Sequence, residues 1–247
     1  MFSNTKLNVD KVFVLHVKHG YESRAEHIEA QMKQHGIDFT YILDGDIPDI
    51  NDAILDKYFI DSMHNATPAT SCTLKHILAY EALLLENYKD ALIFEDDIFL
   101  NSNFNEIFNA CMHEIERRED INSDKLFISF ENSELNFVPS SKLISGQFLY
   151  KQETGRCAGA YYITKGSAEK MISSLQQHKC NKISDIWHND LFKNGLLDIF
   201  WCHPTIAEQG SHSGQFDSAL SHRRKDIIRA IAWWFRKKIQ KTKFKIR

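Results

Sequence analysis

Ala91-Leu92-Ile93-Phe94-Glu95-Asp96-Asp97-Ile98-Phe99 decides the reading of this chain. Four consecutive apolar residues make a buried strand and are too short for a buried helix. Three acids follow at once. Burying unpaired carboxylates is expensive, so three together at a strand end call for a cation or for ample water. Oxygen ligands suit hard divalent ions such as Mg²⁺ or Mn²⁺. If the strand continues, Glu95 and Asp97 point to one side and Asp96 to the other. A solvated acidic turn would need no ion at all.

Working outward, Val12 to Val17 reads as a strand, Glu22 to Gly36 as a helix stopped by its glycine, and Phe39 to Leu43 as a second strand. Asn51 to Phe59 reads as a short helix. A long helix, capped by Thr70 or Ser71, runs to about Asn87, with Leu74, Ile77, Leu78, Leu84 and Leu85 at helical period. Beyond the acids come a helix over Asn105 to Arg118, strands over Leu126 to Phe130 and Gly159 to Thr164, and a helix over Ser167 to Leu175. A helix over Asp185 to Phe192 and a strand over Asp198 to Cys202 complete the pattern. Strands alternating with helices predict an α/β fold whose sheet is parallel at least in its first half. Such sheets place ligands beyond the carboxyl ends of their strands.

At 247 residues the chain is long enough for a sizeable core. Its apolar runs fall far short of the ~20 residues a membrane span needs. No basic stretch followed by an apolar segment opens it, so no signal peptide is expected. The five cysteines are scattered with no C-x-x-C pair, which fits reduced thiols in the cytoplasm. The net charge of −3 hides an asymmetry: residues 221–247 carry eleven Lys and Arg against one acid, Asp226. No Gly-x-Gly-x-x-Gly or phosphate-loop motif is present, and no zinc spacing.

The acidic cluster lies about 20 residues after Ser71-Cys72-Thr73-Leu74-Lys75-His76 and ahead of Gly155-Arg156-Cys157-Ala158-Gly159-Ala160-Tyr161-Tyr162-Ile163-Thr164-Lys165-Gly166-Ser167-Ala168. In this order the chain resembles glycosyltransferase family 25, which includes bacterial lipopolysaccharide and lipooligosaccharide galactosyltransferases. The likeness runs from about Val12 to Ser218. It takes in Arg24 after the first strand, Asp44-Gly45 after the second, the Cys72–His76 helix, the Glu-Asp-Asp strand end, the Gly159–Ile163 strand, Asp185, Pro204 and Gln209. The chain departs from the family pattern at Ser71, Lys75 and His16, where Gly, Ser and Asn are usual.

The resemblance implies a GT-A type fold with a single Rossmann-like mixed sheet flanked by helices, a UDP-sugar donor and a divalent ion, Mn²⁺ or Mg²⁺. Asp97 is the first candidate metal ligand, with Glu95 beside it on the metal or the ribose. Asp96 would meet the ribose or the sugar. A third metal ligand would come from Gln209, Ser211 or His212. Arg24 would sit near the UDP phosphates or base, His76 near the donor, and Gly159 would permit close backbone approach. An inverting transfer also needs a base for the acceptor hydroxyl. Asp185 and Asp190 are the candidates, although Ser184 or Asp185 would serve equally well as a helix N-cap. Trp187 would lie under a sugar ring or in the core.

Two regions are expected: a catalytic domain over 1–220 and a basic amphipathic segment over 221–247. In the latter, Ile227, Ile231, Trp234 or Phe235, and Ile239 share a helical face amid Arg229, Arg236, Lys237, Lys238 and Lys241. Helices of this type lie on anionic bilayers; nucleic acid is the second partner to consider. The expectation is a metal-dependent UDP-galactose transferase acting on a lipooligosaccharide or lipopolysaccharide acceptor, peripheral on the cytoplasmic face of the inner membrane. A metal-dependent phosphoesterase or other hydrolase is the alternative.

Overall fold

The computed structural model describes residues 5–213, 215–216 and 227–246. The chain opens with β1 (Lys11–Leu15), α1 (Glu22–His35), β2 (Thr40–Ile42) and α2 (Asp52–Tyr58). It continues through α3 (Pro68–Leu85), β3 (Asp90–Glu95), β4 (Ile98–Leu100), α4 (Phe104–Arg117) and β5 (Leu126–Ser129). There follow β6 (Leu149–Gln152), β7 (Ala160–Thr164), α5 (Lys165–Gln177), α6 (Ser184–Lys193), β8 (Asp198–Cys202), β9 (Ala207–Gln209), α7 (Gly210–Ser213) and α8 (Ile227–Ile246).

Local chemistry explains the boundaries. Gly36 ends α1 in the left-handed region at φ 63°, its amide returning to the last turn. The cap of α3 is Thr67 and not Thr70 or Ser71. Its side chain accepts the Thr70 N–H at 3.2 Å, and Pro68 occupies the first turn, where no backbone donor is needed.

Seven strands form a mixed sheet in the order β2-β1-β3-β7-β5-β8-β6. β2, β1 and β3 run parallel; β7 runs against both β3 and β5, and β8 runs parallel to β5. The side chains alternate between faces. Phe13, Ile93, Tyr161 and Ile163 enter a core with α2, α3, α5 and α6, while Val12, Val14, Leu92, Phe94 and Tyr162 enter one with α1 and α4. The fold is therefore α/β, a mixed sheet flanked by helices.

The expected single sheet is joined by a second, the antiparallel ribbon β4-β9. Its two strands are three residues each and carry no alternating pattern to mark them. The carboxyl ends of β1, β3, β5 and β8 share one edge with the start of β7, and the ribbon stands over that edge.

α8 packs on the body through Trp233, which is buried against Leu135 and Phe137 and donates to the Ser133 carbonyl at 3.5 Å. Lys237 pairs with Glu208. Trp234, Phe235 and Ile239 are exposed, so Trp233, rather than the Trp234 face, meets the body. Residues 221–226 lie outside the described residues. No helix among the described residues is long and apolar enough to cross a membrane.

Candidate active site

A cleft of about 300 Å³ opens at the carboxyl ends of β1 and β3, walled by the start of α3 and by Asp46-Ile47-Pro48. His16, Arg24, Cys72, Glu95, Asp96, Asp97 and Ser211 line it. One strand end thus gathers most of the chemistry that the sequence singles out.

The three acids have three different environments. Asp96 is internal: Oδ2 lies 2.7 Å from His16 Nδ1 and Oδ1 accepts from Arg24 at 2.8 Å. Burial works against the Arg24 charge, but Asp96, Asp97 and Glu95 outweigh it and raise the guanidinium pKa. Asp96 therefore anchors Arg24 at the mouth of the cleft instead of reaching a ligand with a free oxygen. Asp97 is 1% exposed. Its Oδ2 accepts the Ser211 N–H at 2.9 Å and its carbonyl the Gly210 N–H at 2.8 Å. Its Oδ1 finds no hydrogen-bond partner among the described residues. Burial, then Glu95, push its carboxyl up to about 6. Glu95 accepts from Gln209 Nε2 at 2.7 Å on Oε2; its Oε1 faces His76 Nε2 at 3.5 Å and Cys72 Sγ at 3.9 Å.

The ribbon explains why residues more than a hundred positions apart meet here. Ile98 pairs with Gln209, which swings Gln209 and Ser211 over the turn after β3. Gly159 makes room: an added Cβ would lie 2.5 Å from Gln209 Cγ and Cδ. The glycine expected to admit a ligand admits a side chain of the protein itself. The His212 side chain lies outside the described residues.

The oxygen donors at this strand end are of the type that suits a hard divalent ion. Asp97 Oδ1 and Gln209 Oε1 are buried without partners among the described residues, and Glu95 is partly open to solvent. An all-oxygen set of this kind fits Mg²⁺ or Mn²⁺.

His76 is fully buried on α3. Its Nδ1 lies 2.7 Å from Tyr161 Oη, Tyr161 Oη 2.7 Å from Tyr80 Oη, and Tyr80 Oη 2.8 Å from His188 Nε2. Burial, with His76 nearby, drives the His188 pKa well below the usual value, so His188 is neutral. Lys75 is structural: its ammonium pairs with Asp46 at 2.8 Å and donates to the Leu43 and Asp44 carbonyls at 2.8 and 3.1 Å.

The two candidate bases separate. Asp185 sits in the first turn of α6, where Oδ1 accepts the Ile186 N–H at 2.9 Å. Burial raises its pKa first and the Glu95 charge adds to that, so it shares the field of the acidic turn without lining the cleft. Asp190 is held by Lys182, with Lys193 at 3.9 Å. Asp190 is tied up by these lysines and, like Asp185, does not line the cleft. Trp187 packs against Tyr80 in the core.

The segment after β5 is a polar centre that the sequence reading does not contain. Glu131 is 0% exposed; Oε2 accepts the Ser133 N–H at 2.7 Å and its hydroxyl at 2.5 Å. Its Oε1 and both polar atoms of the Asn132 amide lack partners among the described residues. Burial lifts the Glu131 carboxyl to about 7. Arg156, buried over the Trp201 ring, donates to the Glu131 carbonyl at 3.2 Å, and burial lowers its pKa to about 10. The signal was a repeat: Phe94-Glu95-Asp96 and Phe130-Glu131-Asn132 both end apolar strands.

Comparison with known proteins matches residues 9–187 to the model of glycosyltransferase family 25 (LPS biosynthesis protein). No curated protein matches the chain. Among solved structures, a glycosyltransferase involved in the glycosylation of the major capsid of PBCV-1 is similar over 86% of this chain and 98% of that chain, with 10% identity and a TM-score of 0.42. The inositol-1-phosphate CTP transferase from T. maritima is similar over 83% of this chain and 90% of that chain, with 9% identity and a TM-score of 0.39.

Proposed function

The chain belongs to glycosyltransferase family 25, and from that premise we propose that it moves galactose from UDP-galactose to a sugar of a lipooligosaccharide or lipopolysaccharide, with inversion, on a GT-A type fold. The glycosyltransferase class follows from the family. The donor, the acceptor, the stereochemistry and the metal are our reading. The observation that carries it is Asp97, a buried carboxylate with one oxygen left unpartnered beside Glu95 and Gln209.

Those three residues would hold a divalent ion, Mn²⁺ or Mg²⁺. Bound there, the ion would supply a Lewis acid that neutralises charge on the departing diphosphate. The protein's own groups do the rest. Arg24, fixed by Asp96, brings a permanent positive charge to the cleft where phosphate oxygens would lie. The Asp96 and Ser211 contacts hold Arg24 and Asp97 in place, so little reorganisation accompanies charge development. Asp185, its pKa raised by burial, suits the proton of an acceptor hydroxyl better than an ordinary carboxylate would.

The membrane reading is supported by the exposed Trp234, Phe235 and Ile239 on a helix rich in Lys and Arg. On this reading the enzyme works at the cytoplasmic face of the inner membrane, beside a lipid-linked acceptor.

The test is a screen of UDP release across UDP-sugars, with and without a soluble oligosaccharide acceptor, in Mn²⁺ and in excess chelator. Release from UDP-galactose that requires both acceptor and metal supports the reading. Release without acceptor favours hydrolysis, and full activity in chelator removes the metal.

A further inference from the structure

We propose that Cys72, His76 and Glu95 form a zinc-binding site in the wall of the cleft, separate in donor chemistry from the oxygen set around Asp97. Their ligand atoms all lie within 4.8 Å of one another. Cys72 and His76 stand four residues apart on α3 and so share one helix face, and β3 delivers Glu95 opposite them. A tetrahedral zinc with bonds of about 2.0–2.3 Å keeps its ligand atoms roughly 3.3–3.8 Å apart. Glu95 Oε1 is 3.5 Å from His76 Nε2 and 3.9 Å from Cys72 Sγ. The first of these edges has the dimensions of an occupied site and the second lies just beyond them.

The second observation is the state of His76. Its Nε2 is buried and without a hydrogen-bond partner among the described residues, yet it faces a carboxylate oxygen. Its Nδ1 is held at 2.7 Å by Tyr161, which Tyr80 and the neutral His188 support in turn. Nε2 faces Glu95 while Nδ1 is held on the Tyr161 hydroxyl, so a cation bound beside the carboxylate oxygen would meet a nitrogen already oriented toward it. Metal-binding histidines are held in this way, the second ring nitrogen tied to an outer group.

The donor set of one sulfur, one imidazole nitrogen and one carboxylate oxygen favours zinc over magnesium or calcium. Cys72 lines the cleft, which leaves a fourth position for water or a ligand oxygen. Binding converts the Cys72 thiol to thiolate and releases its proton to solvent. Because Glu95 belongs to both sets, zinc here would withdraw it from the hard-metal set. That inhibitory consequence rests on the glycosyltransferase reading above; the site itself does not.

The test needs no turnover, so its failure is distinguishable from failure of the proposed activity. Co²⁺ is titrated into chelator-treated full-length protein and the thiolate-to-cobalt charge-transfer band is recorded, followed by displacement with Zn²⁺. A band that Zn²⁺ abolishes is expected, lost in Cys72→Ser and retained in Cys180→Ser. His76→Gln should weaken Zn²⁺ at least tenfold, and Tyr161→Phe roughly tenfold through the orientation of the ring. No band in the wild type, or the same band in Cys72→Ser, overturns the proposal. Should Cys72→Ser fail to fold, iodoacetamide labelling of the wild type decides. Cys72 is the partly exposed cysteine and the other four are buried. Protection of Cys72 by Zn²⁺ but not Mg²⁺ is expected; equal labelling with and without Zn²⁺ overturns the site.

Discussion

β3 and β5 leave the sheet at the same edge with closely similar residues, Ile93-Phe94-Glu95-Asp96 and Ser129-Phe130-Glu131-Asn132, and their acids meet opposite fates. Glu95 has 23% of its side chain exposed and looks into a cleft. Glu131 is closed in, with Arg156 bonded to its own carbonyl and Trp233 of α8 over Ser133. The difference is made by what covers each strand end, not by the strand. After β3 the chain turns into the β4-β9 ribbon, which supplies partners and leaves the mouth open. After β5 the chain is closed in by β9, with Ala207 on Phe130 and Gln209 on Ser133, and by Trp233 of α8. One acidic end thus opens on a cleft and the other is a buried polar plug.

The largest test of this contrast is Asp97→Asn. If the β3 end works through charge, the variant should lose about 10²–10³-fold in turnover, the size of losing one preorganised transition-state contact. The protein should melt no lower than the wild type, because burial already penalises the Asp97 charge, with its carboxyl at about 6. Turnover within a few-fold of wild type would make the β3 end a solvated turn and erase the distinction.

Glu131→Gln probes the other end, and its sign is opposite. Burial pushes the Glu131 carboxyl up to about 7 in the folded protein, above the ordinary 4.5. Folded protein then binds a proton that unfolded protein has lost, so stability falls as pH rises from about 4.5 to about 7 and is flat above. The shift corresponds to at most about 3 kcal/mol. Gln keeps the Ser133 contact and has no charge to bury. The variant should melt several degrees above wild type at pH 8, with the gap shrinking below pH 5. A gap independent of pH would show that folded and unfolded protein hold the Glu131 proton equally, and would remove the contrast.

Legibility followed the same contrast. The β3 end could be read because three adjacent acids follow the apolar Ala91–Phe94 strand, and because Cys72, His76 and Gly159 stood at family spacing around them. α1 was legible from Gly36, and α2 from Asn51, whose side chain accepts the Ile54 N–H. The ribbon was not, since β4 and β9 are three residues long and their pairing is a tertiary fact. Without it, nothing predicts that Gln209 fills the space beside Gly159. Asp96 shows the same limit. Strand alternation put it on the far side from Glu95, but only the fold shows Arg24 and His16 waiting there. Asp190 stood as a second candidate beside Asp185, and only the fold brings Lys182, eight residues earlier, against it. The tail's charge was plain in sequence; which tryptophan docks was not, because Trp233 and Trp234 are adjacent and either could lead an apolar face.

That last ambiguity yields the smallest effect and divides α8 into a docked side and a free side. Trp233 is buried against Leu135 and Phe137, while Trp234 and Phe235 are exposed and Lys238 stacks 3.7 Å from the Trp234 ring centroid. If the exposed side meets lipid, Trp234→Ser/Phe235→Ser should lower affinity for anionic vesicles about tenfold, or about 1.4 kcal/mol. Its melting temperature should not change, since neither ring is buried in the fold. Trp233→Ser should do the reverse. It should leave vesicle affinity within a few-fold and raise amide hydrogen exchange along α8 and in the loop over Ser133, where its indole now donates. Raising salt should weaken vesicle binding of all forms through screening of the basic side chains. If the double variant sediments with anionic vesicles like wild type, the exposed rings are not a membrane face. α8 would then serve the β5 end alone, as its cover.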